Sequence, residues 1–138
     1  MAVREIIHDD LFLQRKSAQA AKEDAQIAAD LLDTIKANRE RCIGIAANMI
    51  GELKRIIVVR VGETYLTMYN PEIVKHSARE YKTQEGCLCR SIELPCTRYE
   101  TIEVKYRDAD FRKQKQKFSG IVAETIQHEI DHCNGILI

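Results

Sequence analysis

Two histidines and a glutamate near the end of the chain form a pattern that suits metal chemistry. His128 and His132 are four residues apart, so on a helix both imidazoles project from one face and can reach a single ion. Glu129 lies beside them, where its carboxylate can take a proton from a water that the metal activates and deliver it to a leaving amine. The alternative is an ordinary helix that carries two histidines by chance. The spacing favours a metal site, and we predict a metallohydrolase.

A catalytic metal site of this type needs a third protein ligand and one open position for water or substrate. Downstream of the histidines the candidate is Cys133, which lies on the apolar stripe of the same helix and is expected to point away from the ion. The ligand is therefore expected upstream. Cys87 follows a glycine in a short polar segment, and a thiolate is a good ligand for zinc or ferrous iron. His8 and His76 are weaker candidates.

The composition argues against several classes of protein. The 138 residues are 45% hydrophobic and 30% charged, which is typical of one globular domain, expected to span residues 1–138. Lysine plus arginine and aspartate plus glutamate each total 21, so the basic excess typical of nucleic-acid binding is missing. The sequence contains no apolar run long enough for a membrane span and no signal-peptide core, so we expect a cytoplasmic protein without membrane contact.

Two local features have plain structural interpretations. The five cysteines are an odd number, and in a reducing compartment they suit ligand, catalytic or core positions better than disulfides. Of these, Cys42 and Cys96 are interpreted as small buried residues. The basic cluster at residues 112–117 is interpreted as an exposed edge strand protected by lysines, in preference to a binding patch.

A helix is expected before any strand. Apolar residues recur at spacings of four and three from Ala21 to Ile35, with charged residues between them. Ser17 is a candidate N-cap, and the helix is predicted to end near Asn38.

Short segments rich in β-branched residues follow this helix. The predicted strands cover residues 55–61, 64–69, two stretches between 73 and 82, 99–107 and 111–118. A turn at Gly62-Glu63 joins the first two, and Asn70-Pro71 ends the second. Residues 85–95 are predicted to form a loop.

The last predicted element is the helix that carries both histidines, from about Gly120 to Cys133. Ser119 opens it and Asn134-Gly135 closes it. Its core stripe is expected to consist of Val122, Ile126, Ile130 and Cys133. The order of elements predicts an α+β fold, in which small antiparallel or mixed β-sheets pack around the C-terminal helix and a further helix lies near the N-terminus.

Three segments resemble the motifs of the peptide deformylases, a family that removes the formyl group from the N-terminal methionine of new bacterial and organellar proteins. The segment from Cys42 to Met49 is similar to the family's glycine-alanine motif, and Glu85 to Cys89 is similar to its Glu-Gly-Cys-Leu-Ser motif. Gln127 to His132 matches its Gln-His-Glu-x-Asp-His motif. Because the three motifs occur in the family's order and cover most of the chain, the chain is identified as a member of this family.

The resemblance implies the parts of a catalytic site. The family's metal ligands fall on Cys87, His128 and His132, and its catalytic glutamate falls on Glu129. One oxyanion donor is the backbone N–H of Leu88, and the other is a glutamine side chain at the end of the first motif. The metal is one divalent ion, usually ferrous iron, which zinc, nickel or cobalt can replace.

The resemblance also implies a substrate and the way it binds. The main-chain groups of Ile43, Gly44 and Gly86 are expected to hold an extended peptide. The expected partner is an N-formylated nascent peptide, which the enzyme could meet at the ribosome.

The chain departs from the family pattern at several site positions. Met49 stands where the family has its glutamine, and a thioether cannot donate a hydrogen bond to a developing oxyanion. Loss of one such donor typically costs on the order of 10²–10³ in turnover. Asn48 carries an amide, but neighbouring side chains usually diverge. Cys42 replaces a glycine of the family, and Cys89 replaces its serine as a near-isosteric substitution.

A further departure concerns the pocket for the first substrate residue. Glu124 and Thr125 lie one turn before His128 and share its helix face, where the family lines an apolar slot for methionine. A carboxylate in such a slot must be solvated or paired, so the preferred residue need not be methionine. The alternative is that Glu124 simply points to solvent.

Three functions fit these observations. The favoured one is a working deformylase, because the ligands and Glu129 are all retained. The second is a divergent metallo-amidase that acts on another N-acyl peptide, which Met49 and Glu124 would explain. The third is a catalytically weak paralogue that binds a metal and peptides.

Overall fold

The architecture consists of three α-helices and seven β-strands over residues 2–138, the part of the chain that this computed structural model describes; the side chains at positions 90 and 91 fall outside the description. The helices are α1 (Asp10–Leu13), α2 (Ala25–Ala37) and α3 (Gly120–Cys133). The strands are β1 (Gly44–Ala46), β2 (Ile56–Val61), β3 (Thr64–His76), β4 (Glu80–Cys87), β5 (Arg90–Tyr99), β6 (Thr101–Arg107) and β7 (Lys113–Ser119). Short 3₁₀ turns at Lys22–Asp24 and Ala47–Ile50 precede α2 and follow β1.

The strands form two antiparallel sheets. Five of them make the larger sheet in the order β1-β2-β3-β6-β7, and β4 pairs with β5 in a separate hairpin. Helix α3 packs against β1 and β2, and α2 also packs on β2. The core between them contains Leu31, Ile35, Ile45, Ile57 and Ile126, all fully buried. This arrangement confirms the predicted α+β class, with antiparallel sheets around the C-terminal helix.

Helix α3 has the predicted bounds, Gly120–Cys133. It begins after the extended residue Ser119, and the backbone N–H of Asn134 closes its last turn on the carbonyls of Ile130 and Asp131. The chain then turns at Gly135, whose φ is 75° and where a side chain would collide with the carbonyl oxygen of Gln14. The glycine turn therefore ends the helix that carries the histidines, whereas the Ser119 side chain makes no capping hydrogen bond at its start. Among residues 2–138 no helix combines the length and the apolar character needed to cross a membrane.

The predicted start of the N-terminal helix is wrong. Helix α2 begins at Ala25, after the 3₁₀ turn, and it ends at Ala37 as expected. Ser17 does not cap it; the N–H of Ser17 donates to the carbonyl of Cys133 at 2.9 Å, and Ala18 pairs with Lys54. These long-range hydrogen bonds hold the segment extended along the end of α3. The short helix α1 was not predicted.

Strand β3 is longer than predicted. It continues through Asn70-Pro71 to His76, so the stretches expected between 73 and 82 are the end of β3 and the start of β4. Asn70 takes a φ of 53°, and its side chain bonds both the N–H and the carbonyl of Ala20. The register shifts between Tyr69 and Glu72, and this irregularity accommodates a proline that has no N–H to donate.

The loop predicted over residues 85–95 is wrong as well, because β4 and β5 form a hairpin there. Tyr99 belongs to β5, so β6 starts later than predicted, at Thr101. Strand β7 starts at Lys113 and forms the exposed edge of the larger sheet, which confirms the interpretation of the basic cluster as an edge strand.

Candidate active site

The structure brings three of the predicted site residues together between α3 and the end of β4. Cys87 Sγ lies 3.3 Å from His132 Nε2, which lies 3.1 Å from His128 Nε2. The three ligand atoms all lie within 4.8 Å of one another. In a tetrahedral site with ordinary metal–ligand distances, such atoms are about 3.3–3.6 Å apart. The cluster therefore fits one divalent ion.

The weaker ligand candidates lie outside this cluster. His8 Nδ1 is 3.0 Å from the carbonyl oxygen of Cys89, and the ring of His76 stacks on Tyr99 at 3.7 Å. Cys133 is buried on the core side of α3, as predicted. Cys96 is only half-buried, so its interpretation as a buried core residue is wrong.

A chain of buried charges holds His128. Glu85 Oε1 accepts a hydrogen bond from His128 Nδ1 at 2.7 Å, which leaves Nε2 of the same ring free to face the cluster. Arg98 donates to Glu85 at 2.7 Å and to Asp131 at 2.6 Å. Burial favours a high pKa for Glu85, but the hydrogen bonds from His128 and Arg98 outweigh it and hold that pKa well below its usual range. Glu85 is therefore an anion that orients the histidine.

The two histidines differ in their pKa. Burial tends to lower the pKa of His128, but the hydrogen bond to Glu85 and the charge of Glu129 outweigh it, so this pKa is raised. Burial and then the charge of His128 lower the pKa of His132 to about 3, so His132 is neutral. The contact with Cys89 and burial raise the pKa of the Cys87 thiol. A thiolate at position 87 therefore needs a cation beside it.

Glu129 lies beside the cluster and lines the same cavity as Cys87 and His128. It is buried, and within the described residues its Oε1 has no hydrogen-bond partner. Burial raises its pKa to about 7, so the carboxyl can take or give a proton near neutral pH. Gly44 makes room for it, because a Cβ on Gly44 would come within 2.7 Å of Glu129 Oε2 and 2.5 Å of Thr125 Cγ2.

An open cavity of about 210 Å³ gives access to this carboxyl. All the predicted site residues line it except Met49 and His132, which are buried behind it. Ile43 forms part of its rim with 44% of its surface exposed, and its carbonyl accepts from the N–H of Arg60. The cavity thus lies between β1 and the end of β4.

Comparisons with known proteins agree with this geometry. The polypeptide deformylase family model matches residues 3–138. The chain belongs to this family. A peptide deformylase of Clostridium beijerinckii is 48% identical over 136 residues, which are 99% of both chains. A class I type b peptide deformylase from Acinetobacter baumannii superposes with a TM-score of 0.89 at 29% identity, covering 99% of this chain and 97% of that one.

A second solved structure is similarly close. The peptide deformylase from Ehrlichia chaffeensis in complex with actinonin has a TM-score of 0.90 at 30% identity, covering 99% of this chain and 87% of that one. These findings confirm the predicted family, and with it the predicted function of a metal-dependent hydrolase that removes the formyl group from nascent peptides. The family and the cluster together support a single metal ion.

The position of the deformylase glutamine is filled by sulfur. Met49 Sδ lies 3.9 Å from Cys87 Sγ and 3.4 Å from the backbone nitrogen of Ala46. The amide of the neighbouring Asn48 points elsewhere, because its Nδ2 donates to the carbonyl of His132 at 3.0 Å. Asn48 is thus occupied in holding α3, and it cannot stand in for the missing glutamine.

Glu124 is paired, which excludes the reading in which it simply points to solvent. The hydroxyl of Tyr81 donates to Glu124 Oε1 at 2.8 Å. Burial, and then a hydrogen bond with Glu85, raise the pKa of Glu124. Thr125 turns its hydroxyl to the carbonyl of Ile121 and its methyl group toward Gly44. The wall that α3 gives to the cavity therefore carries a polar group, the carboxyl of Glu124.

Sequence reasoning assigned no role to several residues that organise this deformylase site. Glu85 and Gln127 lie within the motifs, so their positions were known but not their contacts. Gln127 bonds the backbone N–H and carbonyl of Tyr99 and so joins α3 to β5. Arg98 and Tyr81 carried no sequence signal, because their partners are set by the register of the β4–β5 hairpin.

Proposed function

We propose that the chain removes the formyl group from the N-terminal methionine of nascent peptides, with Cys87, His128 and His132 as ligands of one divalent ion. The observation that carries this proposal is the Cys-His-His cluster, with ligand atoms within 4.8 Å, beside the buried carboxyl of Glu129. The ion is ferrous iron in the cell, and zinc, nickel or cobalt can replace it. When bound, the ion supplies Lewis acidity that activates a water and polarises the formyl carbonyl.

Glu129 moves the proton in this reaction. It takes a proton from the attacking water, whose oxygen bonds to the formyl carbon, and gives the proton to the nitrogen as the carbon–nitrogen bond breaks. The products are formate and a peptide with a free amino group. A pKa of about 7 suits both halves of this transfer.

The edge of β1 holds the peptide. Ile43 bonds with Arg60 of β2, so in the antiparallel pattern the main-chain groups of Gly44 point away from β2, toward the cavity. An extended peptide can add to this edge, with Gly86 on its other side. The carbonyl of Ile43 is bonded to Arg60, so the groups that Ile43 can offer the peptide are its N–H and its apolar side chain at the rim.

The oxyanion depends on the backbone at Leu88. Its N–H is the donor that the family pattern assigns to the developing charge on the formyl oxygen, and it follows the ligand Cys87 directly. Met49 supplies no donor. The chain therefore deformylates with one oxyanion donor fewer than the family pattern. We place this activity in the cytoplasm, on peptides as they leave the ribosome.

One assay tests this function. The protein is loaded anaerobically with ferrous iron, or with nickel, and formate release is measured from a formyl-Met tripeptide for the wild type, Met49→Gln and Glu129→Ala. We expect formate from the wild type and none from Glu129→Ala. Formate from Met49→Gln but none from the wild type would contradict a working deformylase.

A second candidate is an amidase that prefers another N-acyl peptide, and the polar pair of Tyr81 and Glu124 in the cavity wall favours it. A panel of formyl and acetyl peptides with different first residues distinguishes the two. Faster cleavage of an acyl peptide other than formyl-Met would favour the second candidate.

A further inference from the structure

Two thiols are in contact at the turn between β4 and β5. Cys87 Sγ and Cys89 Sγ are 3.0 Å apart, and the backbone N–H of Cys89 points to Cys87 Sγ at 3.5 Å. Cys89 is 1% exposed, whereas Cys87 is half-buried and borders the active-site cavity; both residues line a second depression. One sulfur of the pair can therefore be reached from solvent, and the other is held against it.

The backbone at this turn can accommodate a bond between the two sulfurs. Disulfides join Cα atoms about 4.4–6.8 Å apart. Consecutive Cα atoms are about 3.8 Å apart, so residues two positions apart can approach within that range where the chain turns, as it does at residues 88 and 89. The two sulfur atoms need to approach by about 1 Å to reach the S–S bond length.

We propose that Cys87 and Cys89 form an oxidisable dithiol, a modification site for hydrogen peroxide and other hydroperoxides. With a cation beside it Cys87 is a thiolate, and its sulfur attacks a peroxide oxygen and becomes a sulfenic acid, with release of water or of the alcohol. The Cys89 sulfur then attacks the sulfenic sulfur, and the hydroxyl group leaves as a second water. Two thiols lose two electrons and two protons to one peroxide, and the product is a Cys87–Cys89 disulfide.

The consequence lies in the metal site, and this step rests on the ligand role proposed for Cys87. A disulfide sulfur carries no negative charge to bind the ion, so oxidation removes one of the three protein ligands. Reduction by a thiol reverses the change. A serine at position 89 would have no sulfur to resolve the sulfenic acid, and Cys87 would proceed to the irreversible sulfinic and sulfonic acids.

The other cysteines do not compete for this reaction. The Cys42 thiol is buried and donates to the carbonyl of Gly44 at 2.9 Å, and Cys133 is buried in α3. Cys96 is half-buried, and within the described residues it has no hydrogen bond to another thiol. Cys96→Ser is therefore a matched control for Cys89→Ser, because each variant removes one thiol and only Cys89→Ser removes it from the pair.

The test treats zinc-loaded protein with hydrogen peroxide, because zinc itself does not react with peroxide. Released zinc is measured with a colorimetric chelator, and the peptide that contains Cys87 and Cys89 is examined by mass spectrometry after alkylation. We expect stoichiometric zinc release together with the loss of two hydrogen atoms from that peptide, and both changes should be reversed when the chelator is removed and the protein is reduced with a phosphine in the presence of fresh zinc. Cys96→Ser should behave like the wild type, and zinc that Cys89→Ser releases should not rebind after reduction.

Two results would overturn the dithiol. One is a treated wild type without a disulfide between positions 87 and 89. The other is a Cys89→Ser variant that regains zinc after reduction as fully as the wild type does. A disulfide that forms without release of zinc would support the dithiol and contradict the ligand role of Cys87. The readouts need no substrate, so they stay separate from the test of deformylation.

Discussion

The two histidines of the site lie one helical turn apart on α3, yet their surroundings are opposite in character. His128 donates from Nδ1 to Glu85 at 2.7 Å, and Arg98 in turn holds Glu85. His132 Nδ1 is buried and has no partner among the residues that the structure describes. Its Nε2 faces Cys87, behind which lies Met49. The site thus has a charged half around His128 and a sulfur half around His132.

The contrast shows where this site tolerates change. In the charged half, hydrogen bonds set the orientation and the tautomer of His128 before any ion binds, and loss of one member leaves a buried charge unpaired. In the sulfur half, packing and the bond from Asn48 to the carbonyl of His132 set its position. The departures at Met49 and Cys89 both lie in the sulfur half. Neither change removes a partner from a charged group: Met49 offers no hydrogen-bond donor, and Cys89 adds a second thiol beside Cys87.

The largest effect on turnover is expected at Glu129, which lies beside the cluster that His128 and His132 share. Glu129→Gln keeps the shape of the side chain but removes the group that carries the proton, so turnover should fall by about 10²–10⁴. Zinc content should stay the same, because Glu129 is not a predicted ligand. Formate release and metal analysis check the two expectations. Turnover within a factor of about three of the wild type would show that another group moves the proton.

The next prediction tests whether the charged half depends on its innermost pair. Arg98→Met leaves Glu85 buried without its cation, and we expect the free energy of unfolding to fall by about 3–5 kcal/mol. Because Glu85 orients His128, zinc affinity should also fall by about 10–100-fold. Urea unfolding of the metal-free protein and a zinc competition titration measure the two effects.

The control for this prediction is the double variant Arg98→Met with Glu85→Gln. It removes the unpaired charge while it retains a group that accepts from His128, so much of the lost stability should return. If Arg98→Met and the double variant are equally stable, the Arg98–Glu85 pair is not the source of stability in the charged half.

A prediction for the sulfur half concerns the glutamine side chain that the family pattern has at the position of Met49, where it would donate to the oxyanion. Met49→Gln places an amide beside Cys87, where it can donate to the oxyanion, and kcat should rise by up to about 10². The KM should change little, because the hydrogen bond forms with the charge that develops during reaction. Met49→Leu is the matched control, since it has similar volume and no donor. An equal rise in both variants would assign the effect to packing.

The part of the site that could be predicted from sequence depends on local spacing. His128, Glu129 and His132 lie on one helix, and its predicted bounds rested on Ser119 before it and the glycine turn after it, so each inference involved residues only a few positions apart. The contacts of Ser17 with Cys133 and of Asn70 with Ala20 could not be anticipated, because they join segments far apart in the chain.

The β4–β5 hairpin shows why the rest could not be predicted. A strand is usually recognised by apolar residues at alternate positions. The inward positions of β4 include Tyr81, Glu85 and Cys87, which are more buried than their neighbours but belong to the site, so the strand has no apolar alternation. Arg98 finds Glu85 only once the hairpin register is set. Polar and sulfur-containing residues of the site occupy the positions where apolar residues would have revealed the strand.

The smallest expected effect concerns Glu124, which lies above both halves in the wall of the cavity. Glu124→Ile replaces a paired carboxylate by an apolar side chain, and we expect the KM for a formyl-Met peptide to fall by about tenfold, the size of one modest hydrophobic contact. The kcat should change less, since Glu124 does not touch the reacting atoms. Tyr81→Phe is the control for loss of the hydrogen bond alone, because it removes the hydroxyl that holds Glu124 but keeps the carboxylate in the cavity wall and changes the volume little. If neither variant changes the preference between formyl-Met and a formyl peptide with a polar first residue, this wall does not contact the first side chain of the substrate.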